Sequence, residues 1–133
     1  MDVRGYGVKL KISADRDVEP NEVMEAVGEV MSGIAVDCME RGAVTIGHVK
    51  SYLKAQSGFV KSDTIGPKYG VNVQGELKGP VRSASFVLNA IIVGLNREAI
   101  REISLRSAQE ILAKHGFYVN TEENHAHSNG GYG

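Results

Sequence analysis

Between residues 6 and 12, Tyr6, Val8, Leu10 and Ile12 alternate with Gly7, Lys9 and Lys11. A period of two belongs to a strand with one wet face, so this segment predicts a first strand. The period then lengthens: Val23, Val27, Val30, Ile34 and Cys38 recur at helical spacing behind Pro20, a residue favoured at the first helical position, and Glu22, which suits the positive end of the helix dipole. A helix over 20–41 follows, with Gly42 placed to end it. Gly28 and Gly33 weaken that helix by about 1 kcal/mol each relative to alanine, which predicts close packing against the sheet or a local bend.

Residues 43–55 are rich in β-formers, with Val44, Ile46, His48, Lys50 and Tyr52 alternating against Thr45, Gly47, Val49, Ser51 and Leu53. Both sets mix polar and apolar residues, so the pattern leaves the buried side open. Ser57-Gly58 marks a turn, 59–65 returns as a partner strand, and Gly66-Pro67-Lys68-Tyr69-Gly70 breaks the chain before Val71, Val73, Gly75 and Leu77 alternate up to Gly79-Pro80. This middle third predicts a β-meander. In 83–93, Phe86, Leu88, Ala90 and Ile92 share one face and Val87, Ile91 and Val93 the other, the pattern of a central strand covered on both sides. Asn96 then caps a second helix over 97–115, with Ile100, Ile103, Leu105, Ala108, Ile111 and Leu112 as its apolar stripe, and 117–119 adds a last short strand.

The order predicts an α+β fold: a ferredoxin-like split βαβ sandwich with an elaborated β-meander, two helices lying on one face of a mainly antiparallel sheet. The 133 residues suit one domain over 1–120, followed by a flexible polar tail over 121–133 rich in His, Gly and Asn. Two helices are too few to cover both faces of a sheet whose central strand is apolar on both sides. A homo-oligomer, or a protein partner, is therefore expected to supply a second layer.

Composition narrows the classes. Fifteen basic against sixteen acidic residues leave a net charge of −1, so no global field favours nucleic acid, which is an unlikely partner on this ground. RNA binding by an open sheet is further weakened by the few aromatic residues in the strands, Tyr52, Phe59 and Tyr69. One cysteine, no export signal and no long apolar run lead to the expectation of a cytoplasmic chain with no membrane association. Searches for phosphate-cradling, dinucleotide-binding, zincin and nucleophile-elbow motifs find nothing, and Cys38 falls on the apolar stripe of the first helix as a core residue.

Candidate ligand-binding residues remain. His48 interrupts a strand of β-branched and small residues, with Lys50 and Tyr52 expected on its face. Asn89 places an amide inside the most apolar strand, where a structural role competes with a ligand contact. Tyr69 lies in the Gly66 to Gly70 turn, whose backbone would form a weak phosphate nest or a plain loop. An alternative of another class is a small enzyme or enzyme subunit with a site assembled between protomers from His48, Lys50, Lys61 and Tyr69. In the tail, Glu122, Glu123, His125 and His127 group the donor types that hold a divalent transition metal weakly.

Three segments, Ile46-Gly47-His48-Val49-Lys50, Gly58-Phe59-Val60-Lys61-Ser62 and Leu88-Asn89-Ala90-Ile91-Ile92-Val93-Gly94-Leu95, resemble the C-terminal domain of CobW-type GTPases, the cobalamin-synthesis and metallochaperone family. The resemblance spans about 8–117 in order and general pattern. It implies a non-catalytic accessory or ligand-binding domain, in metal or corrinoid metabolism, acting through its sheet surface. The nucleotide-binding loop and the cysteine metal motif of the GTPase module have no counterpart here, so GTP hydrolysis does not carry over. His48, Lys50, Lys61 and Asn89 are the positions that transfer, as candidates for a shared surface.

Overall fold

Pro20 lacks only a donor that the first helical turn leaves unpaired in any case, and helix α1 starts there, running Pro20–Glu40. Asn96 accepts at its side-chain oxygen from the Ala99 N–H at 2.8 Å and so caps helix α2, Arg97–Lys114. The structure is a computed structural model and describes residues 2–121. Six strands complete it: β1 Val3–Val18, β2 Thr45–Ala55, β3 Gly58–Thr64, β4 Asn72–Leu77, β5 Val81–Val93 and β6 Phe117–Thr121, with a 3-10 turn at Pro67–Tyr69. None of the helices is long and apolar enough to cross a membrane among the described residues.

The strands lie in the order β4-β3-β2-β5-β1-β6, and every neighbouring pair is antiparallel. Within that sheet β2-β5-β1-β6 is the ferredoxin-like core: β5 lies between β1 and β2, which α1 links, and β1 lies between β5 and β6, which α2 links. The β3-β4 hairpin extends the β2 edge, as the expected meander does.

Both helices cover one face. Tyr6, Val8, Leu10 and Ile12 of β1, Phe86, Leu88, Ala90 and Ile92 of β5, and Val49 and Leu53 of β2 are buried there with the α1 stripe of Val23, Val27, Val30, Met31, Ile34 and Cys38. Gly28 approaches the sheet, where a Cβ would meet Val73 at 3.5 Å. Gly33 does not: it lets α2 come close, since a Cβ would lie 2.6 Å from the Ser107 hydroxyl, which itself donates to the Val30 carbonyl at 3.0 Å.

Two expectations change. β5 is central, but among the described residues nothing covers its second face: Asn89 is exposed and Ile91 is 46% exposed. The strand over 43–55 is not one continuous alternation. Ile46 pairs with Ile92 and His48 with Ile91, so Gly47 is a bulge that reverses the phase, turning Ile46 into the core with Val49 and His48 out with Lys50. A Cβ on Gly47 would stand 2.8 Å from the Ile91 carbonyl oxygen, which explains the glycine at this bulge. The tail, apart from Thr121 in β6, lies outside the described residues.

Candidate functional site

Registers of the strands bring the side chains of the open face into rows. One row runs Asn72, Asp63, Lys50, Asn89, Gly7 across β4, β3, β2, β5 and β1. The next runs Gln74, Lys61, Tyr52, Val87, Lys9, and the third Glu76, Phe59, Lys54, Ser85, Lys11 and, on β6, Asn120. Five lysines, Lys9, Lys11, Lys50, Lys54 and Lys61, thus share one face, and each is exposed. Their only acidic neighbours in these rows are Asp63 and Glu76, towards the β3-β4 edge.

Off these rows six cations are paired, while Lys68, Lys78, Arg97 and Arg106 have no carboxylate within 4 Å among the described residues. Arg4, Arg16, Arg41, Arg82, Arg101 and Lys114 each lie within 4 Å of a carboxylate. Among the described residues, Lys9, Lys50, Lys54 and Lys61 have no such partner. On the opposite layer α1 contains Glu22, Glu25, Glu29, Asp37 and Glu40 and no lysine or arginine, while α2 carries Arg97, Arg101, Arg106 and Lys114 beside Glu98, Glu102 and Glu110, so the helical layer is net acidic. A net charge near zero therefore conceals a molecule with one basic and one acidic side.

Tyr52 and Phe59 stack among these lysines, ring centroids 6.1 Å apart and planes inclined by 18°. Tyr52 is 42% exposed. Beside them a groove of about 530 Å³ opens between Lys11 and Lys54 along Ser83, Ala84 and Ser85 of β5, with Gln56 and Asn120 also on its walls. Strand spacing places the backbones of Lys11 and Lys54 about 10 Å apart across Ser85.

Of the residues singled out from sequence, His48, Lys50, Lys61 and Asn89 come together on this face. His48 is half-buried at its end, beside Ile91. Asn89 is exposed, not a buried amide, and its side chain reaches over Gly7, where a Cβ would lie 2.6 Å from its oxygen. Tyr69 stands apart in the 3-10 turn, 65% exposed, with the Lys68 ammonium 5.9 Å from its ring. Glu122, Glu123, His125 and His127 lie outside the described residues. Lys9, Lys11 and Lys54 were missed as site residues, and Tyr52 and Phe59 were named only as the aromatics of the RNA reading; the clue was Lys9 and Lys11 in one strand and Lys50 and Lys54 flanking Tyr52 in another, which acquires meaning only once the strands are neighbours.

A second cluster went unnoticed. His115, buried just past α2, is held at Nδ1 by Glu22 at 3.1 Å and at Nε2 by a shorter contact to Glu29, both from α1. Arg16 joins in, donating from Nη2 to the His115 carbonyl at 3.1 Å and to Glu22 at 3.2 Å. Burial alone would lower the imidazole pKa, but the bonds to Glu29 and Glu22 outweigh it and raise it. Arg16 and then His115 lower Glu22, while His115 and then Lys114 lower Glu29. Both ring nitrogens face carboxylates, so the imidazole has no lone pair free for a metal. Among the described residues no three His, Cys, Asp or Glu side chains are placed to hold one. The burial-raised Cys38 thiol, pushed up to about 11, is inert as a nucleophile at neutral pH.

No family model and no curated protein matches this chain. Among solved structures, the Zn(II)-bound YjiA GTPase from E. coli shares 15% identity at a TM-score of 0.40, over 79% of this chain and 29% of that one. A Zn(II)-bound triple mutant of YjiA GTPase shares 14% identity at the same score, over 86% of this chain and 30% of that one. The chain spans less than a third of either structure.

Proposed function

We propose that this chain is a non-catalytic binding domain whose working surface is the open face of the sheet. The observation that carries this reading is the grouping there of Lys9, Lys50, Lys54 and Lys61, none with a carboxylate within 4 Å among the described residues, whereas Arg16, Arg41, Arg82 and Lys114 on other surfaces are each paired. An exposed ammonium row around stacked rings suits an anionic partner. It does not suit a second copy placed face to face, because a two-fold pairing would set lysine against lysine. The homo-oligomer expected from sequence therefore needs a different surface. The CobW resemblance adds a setting in metal or corrinoid metabolism, for which the described residues offer no ligand cluster.

Lysine acylation followed by mass spectrometry tests the reading without a known ligand. Lys50, Lys54 and Lys61 should label more slowly in an extract of the producing cells than in the purified chain, with Lys68 and Lys78 as internal controls. Equal labelling of all five in both samples would overturn it.

A further inference from the structure

We infer that the open face binds single-stranded nucleic acid, with bases stacked on the Tyr52–Phe59 pair and phosphates following the lysines; this rests on the reading of that face as the binding surface. The placement of charge favours a polymer over a single anion. A lone phosphate is held by two or three donors that converge on it, whereas Lys9, Lys11, Lys50, Lys54 and Lys61 are spread over three strands and three registers. Spread cations match a charge repeated along a backbone.

The rings decide what kind of polymer. Tyr52 and Phe59 lie within the lysine rows, next to Lys61 and Lys54 in the strand registers, and Tyr52 leaves much of its surface open. Stacking needs unpaired bases, since a duplex keeps its π-faces inside. An acidic peptide would satisfy the lysines but gives the ring pair no planar partner. The groove between Lys11 and Lys54 continues the track past the rings, its serine floor offering hydroxyl donors to phosphate or sugar oxygens. Meanwhile the net negative charge of α1 lies on the opposite layer and disfavours approach from the helical side.

The test uses the full chain and fluorescein-labelled homopolymers of roughly 12 nucleotides, inside the usual site size for such sheets. Anisotropy titrations with oligo-rU and oligo-dT distinguish an RNA from a DNA source, and binding of either supports the inference. Affinity should fall steeply with salt, and Lys50→Gln or Lys54→Gln should flatten that log–log dependence by about 0.7 per lysine. Tyr52→Ala, which removes no core residue, should weaken binding about tenfold with thermal unfolding nearly unchanged. Absence of binding, equal affinity for a duplex of the same length, or an unaltered affinity of Tyr52→Ala would each overturn the inference. Nuclease treatment of the extract in the acylation experiment separates the two ideas. Protection of the lysines that survives nuclease keeps the binding face and removes nucleic acid as its occupant.

Discussion

Ile46 and His48 stand two residues apart in β2 yet face opposite sides of the sheet, because Gly47 occupies a bulge between their partners Ile92 and Ile91. The bulge allows one strand to feed Ile46 to the core and then His48, Lys50, Tyr52 and Lys54 to the open face. Replacing Gly47 by valine places a branched Cβ against the Ile91 carbonyl, 2.8 Å from the ideal Cβ position. Urea denaturation should show a loss of about 1–3 kcal/mol, the usual cost of overpacking. An unchanged midpoint would mean that the bulge accommodates the side chain.

His48 is half-buried at the end of the lysine rows and has no hydrogen-bond partner among the described residues. His48→Ala should alter stability by about 0.5 kcal/mol or less. A loss several times larger in chemical denaturation would assign the imidazole to the framework instead.

Gly58 opens β3 at φ 149°, and an added Cβ would come within 1.8 Å of the Glu76 carbonyl oxygen. Gly42, at φ 106°, has nothing within 4 Å of such an atom. Alanine at either site adopts a disfavoured backbone, costing about 1–2 kcal/mol, but only at position 58 must the β3-β4 ladder also part. Gly58→Ala should therefore lower the melting temperature well beyond Gly42→Ala, and equal shifts would contradict the close approach.

The Ser104 hydroxyl is buried in α2 without a hydrogen-bond partner among the described residues. Ser104→Ala removes an unsatisfied polar group and improves helix propensity, so stability should rise by about 0.5–1 kcal/mol. Destabilisation on calorimetry would reveal a bond that this hydroxyl makes.

His115, Glu22 and Glu29 make stability pH-dependent in two directions. The folded imidazole has a raised pKa, so its contribution is complete below the ordinary histidine value and is lost as pH rises through the higher folded one. Both glutamates have lowered pKa values, so theirs is present above the ordinary carboxylate range and disappears as pH falls through the folded ones. Arg16 and Lys114 hold the carboxylates on either side. The wild-type chain should be most stable between the carboxylate and histidine ranges. His115→Gln should lose on the order of 1–3 kcal/mol there and flatten the decline above it. An identical pH profile for the variant would show that the cluster does not couple the helices.

Much of the architecture was legible because it depends on local periods. The β1 alternation, the α1 stripe behind Pro20 and the Asn96 cap each act within a few residues. Gly47 broke the reading of β2, since a one-residue insertion exchanges the faces and both faces mixed polar with apolar side chains. The site was harder for the same reason that sheets are: Lys9 and Lys54 become members of one surface only through β5, and no spacing along the chain announces it. His115 meets Glu22 and Glu29 across 93 and 86 residues. Its only local trace was the pair of glutamates seven residues apart on one side of α1.

The central position of β5 between β1 and β2 also governs how the chain reaches this fold. Val3 pairs with Val93, so the β1–β5 ladder joins strands far apart in the chain, and the entropy of closing that loop must be met before most of its contacts form. The β2-β3-β4 meander closes over short turns and can wait as a template, with β5 adding to the exposed side of β2. β1 has no partner until then. Folding should accordingly be slow, and during synthesis the alternating segment of β1 stays an unpaired strand until Val81–Val93 has been made, the interval in which a rescuing chaperone or a misplaced neighbour would compete for it.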